Sequence, residues 1–138
     1  MNKKSFTLVE IMIVLAIILL LAAIAILNIF NTNRTANAAT ARTNIRALSK
    51  AADLYSTAHN GAYPVNAAAI VPYIATATSL CASTAALPVQ GYVYDCTGLT
   101  AAGYTLTATP ASATTGDTVF SVTTGGTVKE AAYTAPKP

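Results

Sequence analysis

Residues 1–30 read MNKKSFTLVEIMIVLAIILLLAAIAILNIF, and how this stretch is read decides the fold. From Ile11 to Leu27 there is no charged or polar side chain, yet Glu10 stands immediately before that run. Roughly 20 apolar residues rising about 1.5 Å each match the ~30 Å hydrocarbon core of a bilayer, so residues 8–27 are long enough to span it as a helix. Lys3 and Lys4 precede the run, and the excess of basic residues on cytoplasmic flanks keeps that end inside and sends the rest of the chain outward. A cleaved secretory signal is the rival reading, with Ala36-Asn37-Ala38 as its small-x-small site. It is disfavoured because the apolar run exceeds the 7–15 residues of a signal core, has an acid at its start and flows into further helical sequence.

No Gly occurs before Gly61 and no Pro before Pro64. Helix-compatible sequence therefore runs from Phe6 to His59, a rod of roughly 80 Å. In its second half Ala38, Ala41, Ile45, Leu48, Ala52 and Tyr55 recur at steps of three and four, forming one apolar stripe that needs a partner surface. Residues 66–77 read as a short helix or turn interrupted by Pro72. Three segments rich in β-branched and aromatic residues follow: 89–94, 104–109 and 118–124. A fourth, 127–131, is reached across Gly125-Gly126, a hairpin-type connection. The expected fold is α+β. The apolar half of a long N-terminal helix protrudes, and the amphipathic half packs on a small antiparallel sheet because neither can hide its apolar face alone. The expected division is a leader at 1–5, a membrane or filament-core half-helix at 6–30 and an exported unit at 31–138. Within that unit lie a half-helix at 31–59, loops at 60–88, a sheet at 89–132 and a tail at 133–138.

Composition narrows the functions. Charged residues are 9% of 138 and the net charge is +3; removing Lys3 and Lys4 takes two from it and leaves +1, so no strongly electrostatic partner is indicated. Arg42, Arg46 and Lys50 repeat every fourth residue, with Asp53 placed to pair with Lys50. The strip reads as a solvated or inter-subunit face, and nucleic acid is not expected as a direct partner. Cys81 and Cys96, the two cysteines, lie in the exported part and are expected to form a disulfide. With one histidine, scattered acids and no phosphate-binding Gly loop, no catalytic constellation can be assembled, and neither a metal nor a cofactor is expected.

The segment KKSFTLVEIMIVLAIILLLAAIAILNIF resembles the N-terminal segment of type IV pilins and of the pseudopilins of type II secretion systems, and ARTNIRALSKAADLYSTAHNGAYP carries a weaker likeness. That resemblance implies cleavage between Ser5 and Phe6 by a prepilin peptidase, N-methylation of Phe6, and assembly roles for Phe6, Thr7 and Glu10. It also implies a homo-oligomeric helical filament drawn from the bacterial inner membrane by a platform protein and an assembly ATPase, and a chain that is structural rather than enzymatic. Three positions depart from the pattern: Ser5 stands where the family nearly always has Gly, and Leu19 and Leu27 stand where many members have Gly and Pro. A tethered, monomeric binding module outside the cytoplasm is the alternative. The physics of Glu10 favours assembly. A carboxylate deep among lipid tails costs about 2.5–3.5 kcal/mol and calls for a partner, and cleavage after Ser5 would supply one as the freed amine of Phe6 on a neighbouring copy.

Overall fold

The computed structural model describes residues 5–136. The chain divides into two compact units, Met1–Asn33 and Arg34–Pro138. One helix, α1 (Leu8–Ala58, 51 residues), contributes to both without interruption. With Leu19 and Leu27 in place of helix breakers, nothing in the sequence interrupts its hydrogen-bond ladder. The helix starts two residues later than expected because Thr7 caps it. It ends one residue early, at a turn in which Asn60 takes φ 54° and the Gly61 N–H donates to the Ser56 carbonyl at 2.8 Å. That bond, with a left-handed residue just past the last turn, is a Schellman closure.

In the first unit the side chains of α1 are exposed all the way round, from Leu8 to Phe30. A helix that is apolar on every face is stable only when lipid or other helices surround it. Among the described residues, α1 is the one helix long and apolar enough to cross a membrane.

The second unit contains a four-stranded antiparallel sheet in the order β1-β2-β3-β4: β1 Tyr92–Thr100, β2 Gly103–Pro110, β3 Thr118–Thr123 and β4 Val128–Ala132. Its inner face presents Tyr92, Tyr94, Leu99, Tyr104, Leu106, Ala108, Phe120 and Val122, all buried in one cluster with Ala41, Ile45, Leu48 and Ala52 of the helical stripe. Ile45 and Leu48 are fully buried. Burying such side chains contributes about 1.5–3 kcal/mol each. The expected α+β arrangement, a long N-terminal apolar helix with an antiparallel sheet, is therefore the observed one.

Two details differ from the sequence reading. The strand expected at 89–94 begins only at Tyr92, because Gln90 (φ 51°) and Gly91 (φ 79°) form a left-handed turn, and Val89 makes no more than an isolated bridge to Tyr92. The same strand continues to Thr100 through a β-bulge. Asp95 opposes Thr107 and Gly98 opposes Thr105, so one extra residue lies between them. Inward-facing residues thus change from even positions (Tyr92, Tyr94) to an odd one (Leu99). The Asp95 carboxylate accepts the Thr97 N–H at 2.8 Å and shapes the bulge. Gly98 is required there, since a Cβ would collide with the Thr105 carbonyl.

Between α1 and β1 lie a 3₁₀ turn (Ala67–Ile70), capped by the Asn66 side chain and inside the stretch 66–77 that the sequence reads as a short helix or turn, and a short helix, α2 (Ala77–Cys81), whose residues beyond 77 fall in a region expected as loop. Ile70, Ala77 and Leu80 anchor this segment in the core. Cys81 of α2 is bonded to Cys96 of β1, as expected, closing a loop with a sequence separation of 15.

Candidate functional site

The first candidate site is the start of α1. Ser5, Phe6 and Thr7 are exposed and lie outside the helix, with Phe6 74% exposed, so the Ser5–Phe6 bond sits in accessible, non-helical chain. The expected leader at 1–5 otherwise falls on residues 1–4, outside the described residues. Thr7 Oγ1 accepts the Glu10 N–H at 3.3 Å, and the Thr7 carbonyl accepts from Glu10 at 3.1 Å and from Ile11 at 3.4 Å. Thr7 is thus the N-cap and Glu10 the third helical residue, the T-x-x-E spacing of a capping box. As separate motif positions Thr7 and Glu10 show no local relation, although the T-x-x-E spacing alone announces it. Glu10 is the acid of the first helical turn, where the helix dipole favours negative charge. Its side chain is exposed.

The second candidate is the helix–sheet seam of the second unit, Arg34–Pro138. Polar residues flanking the apolar stripe hold the sheet side. Asn37 Nδ2 donates to the Thr115 carbonyl at 3.0 Å, Asn44 Nδ2 to the Tyr94 hydroxyl at 3.0 Å, and Arg34 Nε to the Thr114 carbonyl at 3.4 Å. The Tyr104 hydroxyl lies 2.7 Å from Ser49 Oγ and donates to Asp53 Oδ1 at 3.1 Å. Asp53 therefore bonds across to the sheet, instead of making the expected pair with Lys50 along the helix. A helix-local pattern cannot foresee a bond between residues 51 apart. Arg42 likewise leaves the basic strip to pair with Glu130 of β4, Nη2 to Oε1 3.2 Å, with both side chains half exposed. Arg46 and Lys50 stay exposed. Among the described residues no three His, Cys, Asp or Glu side chains are grouped in a way that could hold a metal ion.

Burial pushes the Tyr104 hydroxyl up to about 12, with Asp53 adding to the shift as hydrogen-bond acceptor and as a charge. Burial also pushes Tyr92 to about 12, with the Asp117 carboxylate next in effect, and raises Tyr94. In an unfolded chain these phenols ionise near 10. The folded state keeps its protons where the unfolded state loses them, so the contribution of these phenols to stability should be constant below pH 10 and fall as pH rises from about 10 towards 12. Unfolding followed across that range should show the loss, and Tyr104→Phe should make it shallower; an unchanged profile in that variant would contradict the assignment.

Residues 1–26 match the family described as the Prokaryotic N-terminal methylation motif. No curated protein matches the chain. The matched segment covers the exposed Ser5–Phe6 bond, the Thr7 cap and the first turns of α1, and so the chain carries the prokaryotic N-terminal methylation motif, the hallmark of type IV pilins and pseudopilins.

Proposed function

We propose that the chain is a structural subunit of a bacterial type IV pilus-like filament, acting by packing and not by catalysis. The observation that carries this reading is the combination of the methylation motif with a helix that is apolar on every side and carries one carboxylate, Glu10, in its first turn. A tether alone needs the apolar run but not the acid. In this account a prepilin peptidase cuts between Ser5 and Phe6 at the cytoplasmic face and methylates Phe6. A platform protein and an ATPase then draw the subunit out of the inner membrane. Phe6, Thr7 and Glu10 act together: Thr7 fixes the helix start, and Glu10 meets the freed amine of Phe6 on a neighbouring copy. In a low-dielectric core that pairing sets the axial register of helices whose other attractions are non-directional. Residues 6–30 form the core, and the Thr- and Ala-rich sheet unit, stapled by Cys81–Cys96, faces outward into the periplasm or the medium.

The test is electron microscopy of material sheared from producing cells, combined with the intact mass of the mature chain. The reading expects filaments whose subunits begin at methylated Phe6. A chain beginning at Met1 or at Ala39, or the absence of filaments, would overturn it.

A further inference from the structure

On the sheet face turned away from the core, register aligns one row across all four strands: Asp95 opposes Thr107, Thr107 opposes Ser121, and Ser121 opposes Lys129. Its two ends are oppositely charged and sit on the two edge strands. Asp95 and Lys129 are both exposed. The Thr97 backbone N–H holds the Asp95 carboxyl below its usual range, so it stays charged. Lys129 has no ion pair among the described residues, because the adjacent acid Glu130 points to the opposite face and is taken by Arg42. Three strand spacings, about 14 Å, separate Asp95 from Lys129, too far for them to pair within one chain.

The two edges also differ in shape. Among the described residues β4 pairs only with β3, leaving its other side open. On the β1 edge, Tyr92 and Tyr94 donate their N–H groups to Val89 and to Ser83 Oγ. Beside them lies a groove of about 630 Å³, lined by Val65, Asn66, Ala67, Ser83, Asp95 and Thr97, with the Cys81–Cys96 disulfide in its wall.

We propose that the β4 edge of one copy docks along the β1-edge groove of the next, with Lys129 against Asp95. The occupant is a second copy of this chain because the two ends of one row are complementary to each other. Like edges repel: β4 against β4 brings Lys129 towards Lys129, and β1 against β1 brings Asp95 towards Asp95. The favoured contact is therefore head to tail, the type that builds an open helical assembly when its rotation does not close. This inference rests on the filament reading and adds to it a lateral contact between exported units.

The experiment uses the full chain in producing cells, with filament yield as the readout and thermal unfolding of detergent-extracted monomer as the control for folding. Lys129→Asp and Asp95→Lys should each lower filament yield at least about tenfold through like-charge repulsion, and the double reversal should restore it. Asp95→Asn keeps an acceptor for the Thr97 N–H but removes the charge, so a lowered yield there assigns the effect to charge and not to the bulge. Wild-type yield in the single reversals, or a double reversal no better than the singles, overturns the contact. If Glu10→Ala abolishes filaments while Lys129→Asp does not, only the edge contact fails; if the wild type makes none, the filament reading fails with it.

Discussion

Glu10→Ala is expected to leave a membrane-anchored, folded chain that no longer yields filaments, with recovery down at least about a hundredfold. Removing one member of a desolvated ion pair leaves the other buried and uncompensated, and such losses reach several kcal/mol per contact. In the proposed filament the contact recurs at every subunit. The second unit should be untouched, since its core is built from Ala41, Ile45, Leu48 and residues beyond them, not from the first turns of α1. The comparison that separates charge from local helix structure is Glu10→Gln. Glutamine can still occupy the third position of a capping box behind Thr7, so an assembly defect shared by both variants points to the lost charge. Filament yield in Glu10→Gln equal to wild type would mean that the carboxylate serves the helix start only.

The second large effect belongs to the stripe. Leu48→Ala should lower the stability of the second unit by about 2–5 kcal/mol, because Leu48 is fully buried and truncation removes its contacts and leaves a cavity. For a unit of this size that corresponds to a fall in Tm of roughly 10 °C or more. Leu54→Ala, on the same helix but 56% exposed, should change stability by no more than about 0.5 kcal/mol. Thermal unfolding of the two variants in detergent checks the pair. Equal effects would mean that the stripe is not the surface on which the sheet is held.

Much of this architecture is legible from periodicity. The 3–4 spacing from Ala41 to Ala52 and the alternation of Tyr104, Leu106 and Ala108 each declare one apolar face, and two such faces in one small unit must meet. What periodicity cannot supply is the place where its phase changes. The bulge between Asp95 and Gly98 shifts the inward side of β1 by one residue, and DCTG reads locally as a loop. The row from Asp95 to Lys129 depends on that shifted register and so becomes visible only in three dimensions. The helix α2 is too short for a periodic signal, and its position follows from Leu80 in the core and the bond to Cys96. The bonds from Tyr104 to Asp53 and from Arg42 to Glu130 join residues far apart in sequence, where helix-local pairing rules have no reach. At the helix start the position is reversed. The T-x-x-E spacing carries the Thr7 cap openly, beside the separate role that the resemblance implies for each residue.

The most direct measurement is a high-resolution reconstruction of the assembled filament that resolves Phe6 and Glu10 in adjacent helices. Each Glu10 carboxylate is expected within about 4 Å of the amine of Phe6 on a neighbouring copy, in a core free of water. An ordered filament in which that carboxylate is solvated, or lies far from every such amine, would contradict it.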